Sequence, residues 1–279
     1  MTANSGGFVR ANGIDIHYVQ AGQGAPVVLL HGGVVSTNPI WAHAPISYAA
    51  HMQELARRYR IIAPDTRGCG RTVHDGGVVT FDQLADDVVA LADALDLDQP
   101  LIAGFSEGGI TATIAAIRYP DRFRGIVNDA GYDGFNAGAA TSAMMRQMLG
   151  GSPGATQADP AAFAQMMTQD PQMSAMFELF KADQDGGQGE GHWEQYLRLA
   201  FHRLTEYPGY TVQDLAKITA PALILVGDRD HYCTLEDGIA AYQQLPCGEI
   251  AVLPATGHVI TPAKIELTLA FFDRHLQAG

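Results

Sequence analysis

Two periods of apolar and polar positions run along the chain. "GIDIHYV" (13–19) alternates apolar with polar residues, as a half-buried antiparallel edge strand does. "PVVLLHG", "YRIIAPD", "PLIAGFS" and "FRGIVND" are continuous apolar runs, the pattern of strands buried on both faces of a parallel sheet. Between the second and third of these, Thr80 and Gln83 make a T-x-x-Q capping box, and Leu84, Val88, Leu91 and Leu95 follow at helical spacing. That spacing predicts a crossover helix over 80–96. Two more buried runs come late, "PALILVGD" (221–228) and "EIAVLP" (249–254), and a final helix carries Ile265, Leu269, Phe272 and Leu276 on one stripe. The class is α/β, a mostly parallel sheet flanked by helices with one antiparallel margin.

The strand pattern lapses over 132–214. Glycine-rich breaks at 150–154 and 186–191 separate helical stretches, and seven of the nine methionines fall there: Met144, Met145, Met148, Met166, Met167, Met173 and Met176. Unbranched thioethers repack around varied apolar shapes, so the segment is expected to be a mobile helical lid, or cap, over an apolar pocket. Met144, Met145 and Met148 are candidate substrate contacts. The plainer alternative has the methionines filling the seam between lid and core. The expected organisation is a core of 1–131 and 215–279 with 132–214 inserted.

Composition narrows the partners. A chain of 279 residues that is 47% apolar can bury a large core, and a net charge of −13 repels phosphate backbones and anionic membranes. A small molecule is the expected partner, not nucleic acid or membrane. The first 25 residues lack a signal peptide's basic start and apolar core, and no later segment holds about 18 uninterrupted apolar residues. Cys69, Cys233 and Cys247 are an odd number at wide spacing, which supports neither a disulfide framework nor a zinc knuckle. A reducing cytoplasm is the expected location, with a monomer or homodimer as the assembly. No metal-binding or phosphate-binding motif calls for a cofactor.

Chemistry concentrates where the third buried run ends. Gly104-Phe105-Ser106-Glu107-Gly108 fits G-x-S-x-G between a strand and a helix, the context in which a serine is held exposed on a strained turn. The start of that helix offers free N–H groups and a positive dipole end to a developing oxyanion. Glu107 N–H is one candidate donor. Gly33 N–H, in His31-Gly32-Gly33 after "PVVLL", is the second, with Val34 as its alternative and as a candidate substrate contact. A serine nucleophile needs a base oriented by an acid. His258 follows "EIAVLP" and Asp230 follows "PALILVG", both at strand ends, where open α/β sheets gather functional residues.

These motifs resemble the α/β-hydrolase fold family over nearly the whole chain apart from the lid. Asp65 to Thr72, DTRGCGRT, is similar to that family's D-x-R-G-x-G-x-S turn with Thr72 in place of serine. "GFSEGGITATIAAIRYP" and "APALILVGDRD" most resemble the valacyclovir-hydrolase-like (biphenyl-hydrolase-like) serine esterases. The family pattern G-x-x-D selects Asp230 over Asp228, while Asp129 stays open because some members carry the acid one strand earlier. The resemblance implies a serine hydrolase of small carboxylic esters, thioesters or lactones acting through an acyl-enzyme. Amide or carbon–carbon cleavage and perhydrolysis remain open with the same triad, as does a receptor that has kept the fold. Epoxide hydrolase and haloalkane dehalogenase chemistry needs a carboxylate where Ser106 stands.

Glu107 is the unusual residue, since a carboxylate beside a developing oxyanion repels it. Either it reads a cationic group on the substrate, such as the ammonium of an α-amino ester, or it is bonded to a lid or core donor such as an arginine or tyrosine.

Overall fold

The computed structural model describes residues 5–34, 52–74, 76–131, 139–206 and 209–276. Eight strands form one sheet: β1 (Ser5–Ala11), β2 (Ile14–Ala21), β3 (Pro26–Leu30), β4 (Arg60–Pro64), β5 (Leu101–Phe105), β6 (Gly125–Asp129), β7 (Ala222–Gly227) and β8 (Gly248–Leu253). Their order is β1-β2-β4-β3-β5-β6-β7-β8, with β1–β2 and β2–β4 antiparallel and every other pair parallel. The continuous apolar runs are the central strands: β5, β6 and β7 are buried along their full length.

The two margins depart from the sequence pattern. β2 is not the edge, because β1, a glycine-containing strand the alternation did not single out, pairs outside it. β8 reads as a buried run yet closes the other edge of the sheet, so Val252 is 46% exposed. Apolar sequence alone cannot register that a strand has a neighbour on one side only.

Helix α1 (Phe81–Ala94) starts where the capping box places it, with Thr80 accepting from Gln83 N–H. Helix α2 (Glu107–Arg118) follows β5 directly. Between β6 and β7 lie α3 (Ala139–Gly150), α4 (Pro160–Met167), α5 (Pro171–Gln188) and α6 (His192–Thr205). α7 (Leu235–Gln244) and α8 (Pro262–Leu276) complete the chain, and Ile265 and Phe272 of the apolar stripe are fully buried. The expected lid boundary at 132 lies outside the described residues.

The four inserted helices hold a second apolar cluster, including Leu149, Phe163, Phe177, Phe180, Tyr196 and Phe201, which Cys69 joins from the 65–72 turn. The break expected at 186–191 comes late, because α5 continues through Gly186 and Gly187. Close approach explains Gly187, where a Cβ would stand 2.1 Å from the Gly70 carbonyl, whereas one on Gly186 would meet nothing within 4 Å. Gln184 Oε1 accepts from Gly70 N–H at 3.1 Å and Gln188 Nε2 donates to Gly70 O at 3.0 Å. Helix α5 is thereby docked on the 65–72 turn. Within that turn, buried Arg67 makes a two-bond pair with Asp87 of α1.

Candidate active site

Ser106 sits between β5 and α2 at φ 53° and ψ −117°, a conformation that costs a non-glycine residue about 1–3 kcal/mol. Three contacts hold it there. Ser106 N–H donates to Asp129 O at 2.8 Å, Ile110 N–H donates to Ser106 O at 3.0 Å, and the surrounding glycines let the backbones close in. A Cβ on Gly104 would lie 2.1 Å from the Gly108 carbonyl, and one on Gly108 would lie 2.5 Å from the carbonyl oxygens of Leu30 and His31. The G-x-S-x-G spacing is thus a packing requirement between β5, the first turn of α2 and the end of β3.

His258 Nδ1 lies 2.8 Å from Asp230 Oδ2. A carboxylate only accepts, so Nδ1 carries the proton and Nε2 is left as an acceptor. Asp230 Oδ1 is fixed by the N–H groups of Tyr232 (2.8 Å) and Cys233 (3.0 Å). Burial works to raise the Asp230 carboxyl, but the His258 contact and the two backbone donors outweigh it, leaving the group below its ordinary value. The imidazole is packed between the Phe105 and Tyr232 rings, with centroids at 4.7 and 4.9 Å.

Asp129 is otherwise engaged. Its Oδ1 is 2.5 Å from Lys264 Nζ, and both side chains are fully buried. Burial pushes the Asp129 carboxyl up against the opposing pull of Lys264. Of the two carboxylates that sequence left open for orienting the histidine, Asp230 makes that bond. Asp228 instead accepts from Thr256 N–H.

Ser106 and His258 line one cavity of about 420 Å³, together with Gly33, Val34, Glu107, Met144, Met145 and Met148. Met166, Met167 and Met173 line it as well, so six of the seven methionines of the inserted segment face it and Met176 does not. No hydrogen bond joins Ser106 to His258 among the described residues. Nucleophile–base bonds are commonly long without substrate and tighten in the complex. Glu107 opens α2, so its N–H belongs to the first turn, where no carbonyl of the helix can accept it. Gly33 lies against the same residue, since a Cβ on Gly33 would be 2.9 Å from Glu107 Oε2.

His31 is a structural member of its loop. Its Nε2 accepts from Thr66 N–H at 3.1 Å, so Nδ1 carries the proton and donates to Gly32 O at 2.6 Å. Burial lowers the imidazole below its ordinary value, keeping it neutral. The H-G-G loop is in this way tied to the 65–72 turn.

The Glu107 carboxylate is paired. Arg203 Nη2 of α6 lies 2.8 Å from Oε1, with side-chain exposures of 0% and 2%. Arg203 also donates to Tyr196 Oη at 3.1 Å and stands over the Tyr196 ring at 5.3 Å. Burial opposes the guanidinium charge, but Glu107 and Tyr196 more than offset it and hold the group above its ordinary value. Of the two partners open for Glu107 in the sequence, the geometry supplies an arginine of the inserted helices. Sequence reading named neither Arg203 nor Tyr232 as a site residue. For Arg203 a signal existed: Tyr196, Ala200 and Arg203 share one buried face of α6 at i, i+4 and i+7, so a charge stands on an apolar stripe. Tyr232 had none beyond its place two residues after Asp230.

An elbow serine, a carboxylate-oriented histidine and first-turn amides over an apolar cavity are the apparatus of nucleophilic acyl transfer. The chain belongs to the alpha/beta hydrolase fold family, whose model matches residues 25–262. It is 27% identical to 3-oxoadipate enol-lactonase 2 of Acinetobacter baylyi over 250 residues, 89% of this chain and 88% of that one. It is 34% identical to the serine hydrolase BPHL of Mus musculus over 130 residues, which are 45% of this chain and 43% of the relative. In fold it is similar to a serine hydrolase involved in carbazole degradation, CarC (TM-score 0.72, 21% identity, 97% of this chain and 99% of that one). Est816, an N-acyl homoserine lactone degrading enzyme, superposes with a TM-score of 0.71 at 22% identity, over 95% of this chain and 99% of that one. No helix among the described residues is long and apolar enough to cross a membrane.

Proposed function

We propose that the chain is a serine hydrolase of small carboxylic esters that works through an acyl-enzyme. The observation that carries this reading is the 2.8 Å His258–Asp230 bond beside Ser106 on one cavity wall. Ser106 Oγ attacks the carbonyl carbon while His258 Nε2 takes its proton, and the resulting imidazolium is stabilised by Asp230. The N–H groups of Glu107 and Gly33 receive the oxyanion. On collapse, the leaving alkoxide takes the proton from His258, and water then enters by the same route in reverse to release the acid. In this reading 132–214 is the cap and 1–131 with 215–279 the core, supported by the separate apolar cluster of the inserted helices.

A lactone is the second reading, favoured by the near full-length match to an enol-lactonase. It uses the same residues, with the leaving alkoxide still tethered to the acyl group. An α-amino ester loses support, because Glu107 is already paired with Arg203.

A fluorophosphonate probe and a panel of p-nitrophenyl esters test the proposal. The parent is expected to be labelled and to turn over esters, and Ser106→Ala to lose both. A parent inert to probe and esters would refute it in favour of a binding protein that has kept the fold.

A further inference from the structure

Among the described residues no lysine or arginine lines the cavity that holds Ser106 and His258. Seventeen lysines and arginines occur in the sequence, and none falls in the segments outside the described residues. None of the seventeen lines the cavity. Two buried ones contact its walls from elsewhere. Lys264 lies 5.8 Å from the ring centroid of the lining residue Phe105, its charge taken by Asp129. Arg203 lies against the lining residue Glu107, its charge taken by that carboxylate. Among the described residues Arg203 Nε and Nη1 have no hydrogen-bond partner, so the guanidinium has donors that the pair does not use.

We propose that Glu107 is a specificity residue: by holding Arg203 in a buried ion pair it leaves the cavity without a free positive charge, so the substrate is an uncharged, apolar ester or lactone and carboxylate-bearing analogues are rejected. The proposal deepens the hydrolase reading and rests on it for turnover, while the binding preference follows from the cavity alone. A second carboxylate entering here would leave water for methionine thioethers, with no unpaired lysine or arginine on the wall to receive it. An unpaired charge in such surroundings costs at least about two orders of magnitude in binding. A substrate ammonium gains little either, because it must compete with a guanidinium 2.8 Å from the same carboxylate.

Three esters of matched length test this at pH 8: methyl hexanoate, monomethyl adipate and methyl 6-aminohexanoate. Calorimetric binding to Ser106→Ala reads the preference without turnover, and kcat/KM of the parent reads it with turnover. Methyl hexanoate is expected to be preferred to monomethyl adipate by at least about 100-fold and not to be surpassed by the amine. In Glu107→Gln the preference over adipate should shrink by at least about tenfold as Arg203 is released, and Arg203→Met added to it should restore the preference. The ratio is read within each variant, so partial loss of folded protein cancels, and the ranking with Glu107 in place decides even if Glu107→Gln does not fold. Monomethyl adipate bound within about threefold of methyl hexanoate, or the amine bound better than both, overturns the proposal. The expected binding order without turnover of any ester would uphold it and sink the hydrolase reading instead.

Discussion

Arg203→Met removes one partner of a pair that is buried on both sides and so measures what the pair does. At 2.8 Å and an effective dielectric near 20 the attraction is about 6 kcal/mol, most of it offset by the desolvation of both groups. The intact pair therefore contributes little net stability, whereas the variant leaves the Glu107 carboxylate in the same dry site with no counter-charge. It also removes the hydrogen bond to Tyr196 Oη and the cation over its ring. Breaking such a pair costs about 3–5 kcal/mol, a large part of the roughly 5–15 kcal/mol available to a folded domain. At about 2–4 °C per kcal/mol for a chain of this size, the melting temperature should fall by about 6–20 °C. The double variant Glu107→Leu/Arg203→Met replaces both charges with apolar groups and should return to within about 1–2 kcal/mol of the parent. Urea unfolding followed by far-ultraviolet circular dichroism, with the midpoint and slope fitted for parent, both single variants and the double, closes the cycle. An Arg203→Met variant within about 1 kcal/mol of the parent, or a double variant as unstable as the sum of the singles, would show that the pair is solvated and refute the reasoning.

Three further outcomes follow from the geometry. Gly108→Ala drives a Cβ to 2.5 Å from the carbonyl oxygens of Leu30 and His31, so it should lower soluble yield and ester turnover together; a variant with full activity and an unchanged melting temperature would contradict the packing account of the elbow. Asp230→Asn keeps an oxygen for the Tyr232 and Cys233 amides but turns a donor toward His258 or leaves it the wrong tautomer, and should cut kcat by about 10⁴. Because the Asp230 carboxyl is held below its unfolded value, its stabilisation is present above the unfolded pKa and is lost as pH falls through the folded one. The stability gap between parent and Asp230→Asn should be full at pH 7 and close in acid, which urea titrations across that range would read; a gap that widened in acid would be the wrong sign.

Much of the scaffold could be read from local pattern, because the central strands are buried on both faces and are apolar along most of their length. Ser106, Asp230 and His258 could be named as candidates because each follows an apolar strand run, β5, β7 and the edge strand β8, and strand ends are where a parallel sheet opens. What depended on contacts between distant parts of the chain could not be read. β1 is defined by its register with β2 rather than by its own composition. The edge position of β8 is a property of the sheet, not of "EIAVLP". The G-x-x-D pattern favours Asp230 but leaves Asp129 open in sequence, and what engages Asp129 elsewhere is Lys264, 135 residues further on. Gly187 resembles part of a helix break until the Gly70 carbonyl is placed against it.

Glu107 shows most plainly how distance along the chain conceals chemistry. Its backbone begins α2 directly after the strained turn at Ser106, so its N–H stands free in the first turn beside that serine, the position the proposed mechanism gives to an oxyanion donor. Its side chain would oppose the same charge if it stood alone. Pairing with Arg203 removes the opposition without removing the carboxylate, and the partner comes from the segment that lies over the cavity rather than from the sheet. The inserted helices are thus fastened to the residue next to Ser106 by a contact whose loss is costly. If those helices shift to admit a substrate, either this contact must break or Glu107 must move with them, and only the second course avoids leaving two buried charges unpaired. On that argument the insert is anchored through α6 at Arg203 and through α5 on the 65–72 turn, and substrate entry is to be sought on the methionine-bearing side formed by α3 and α4.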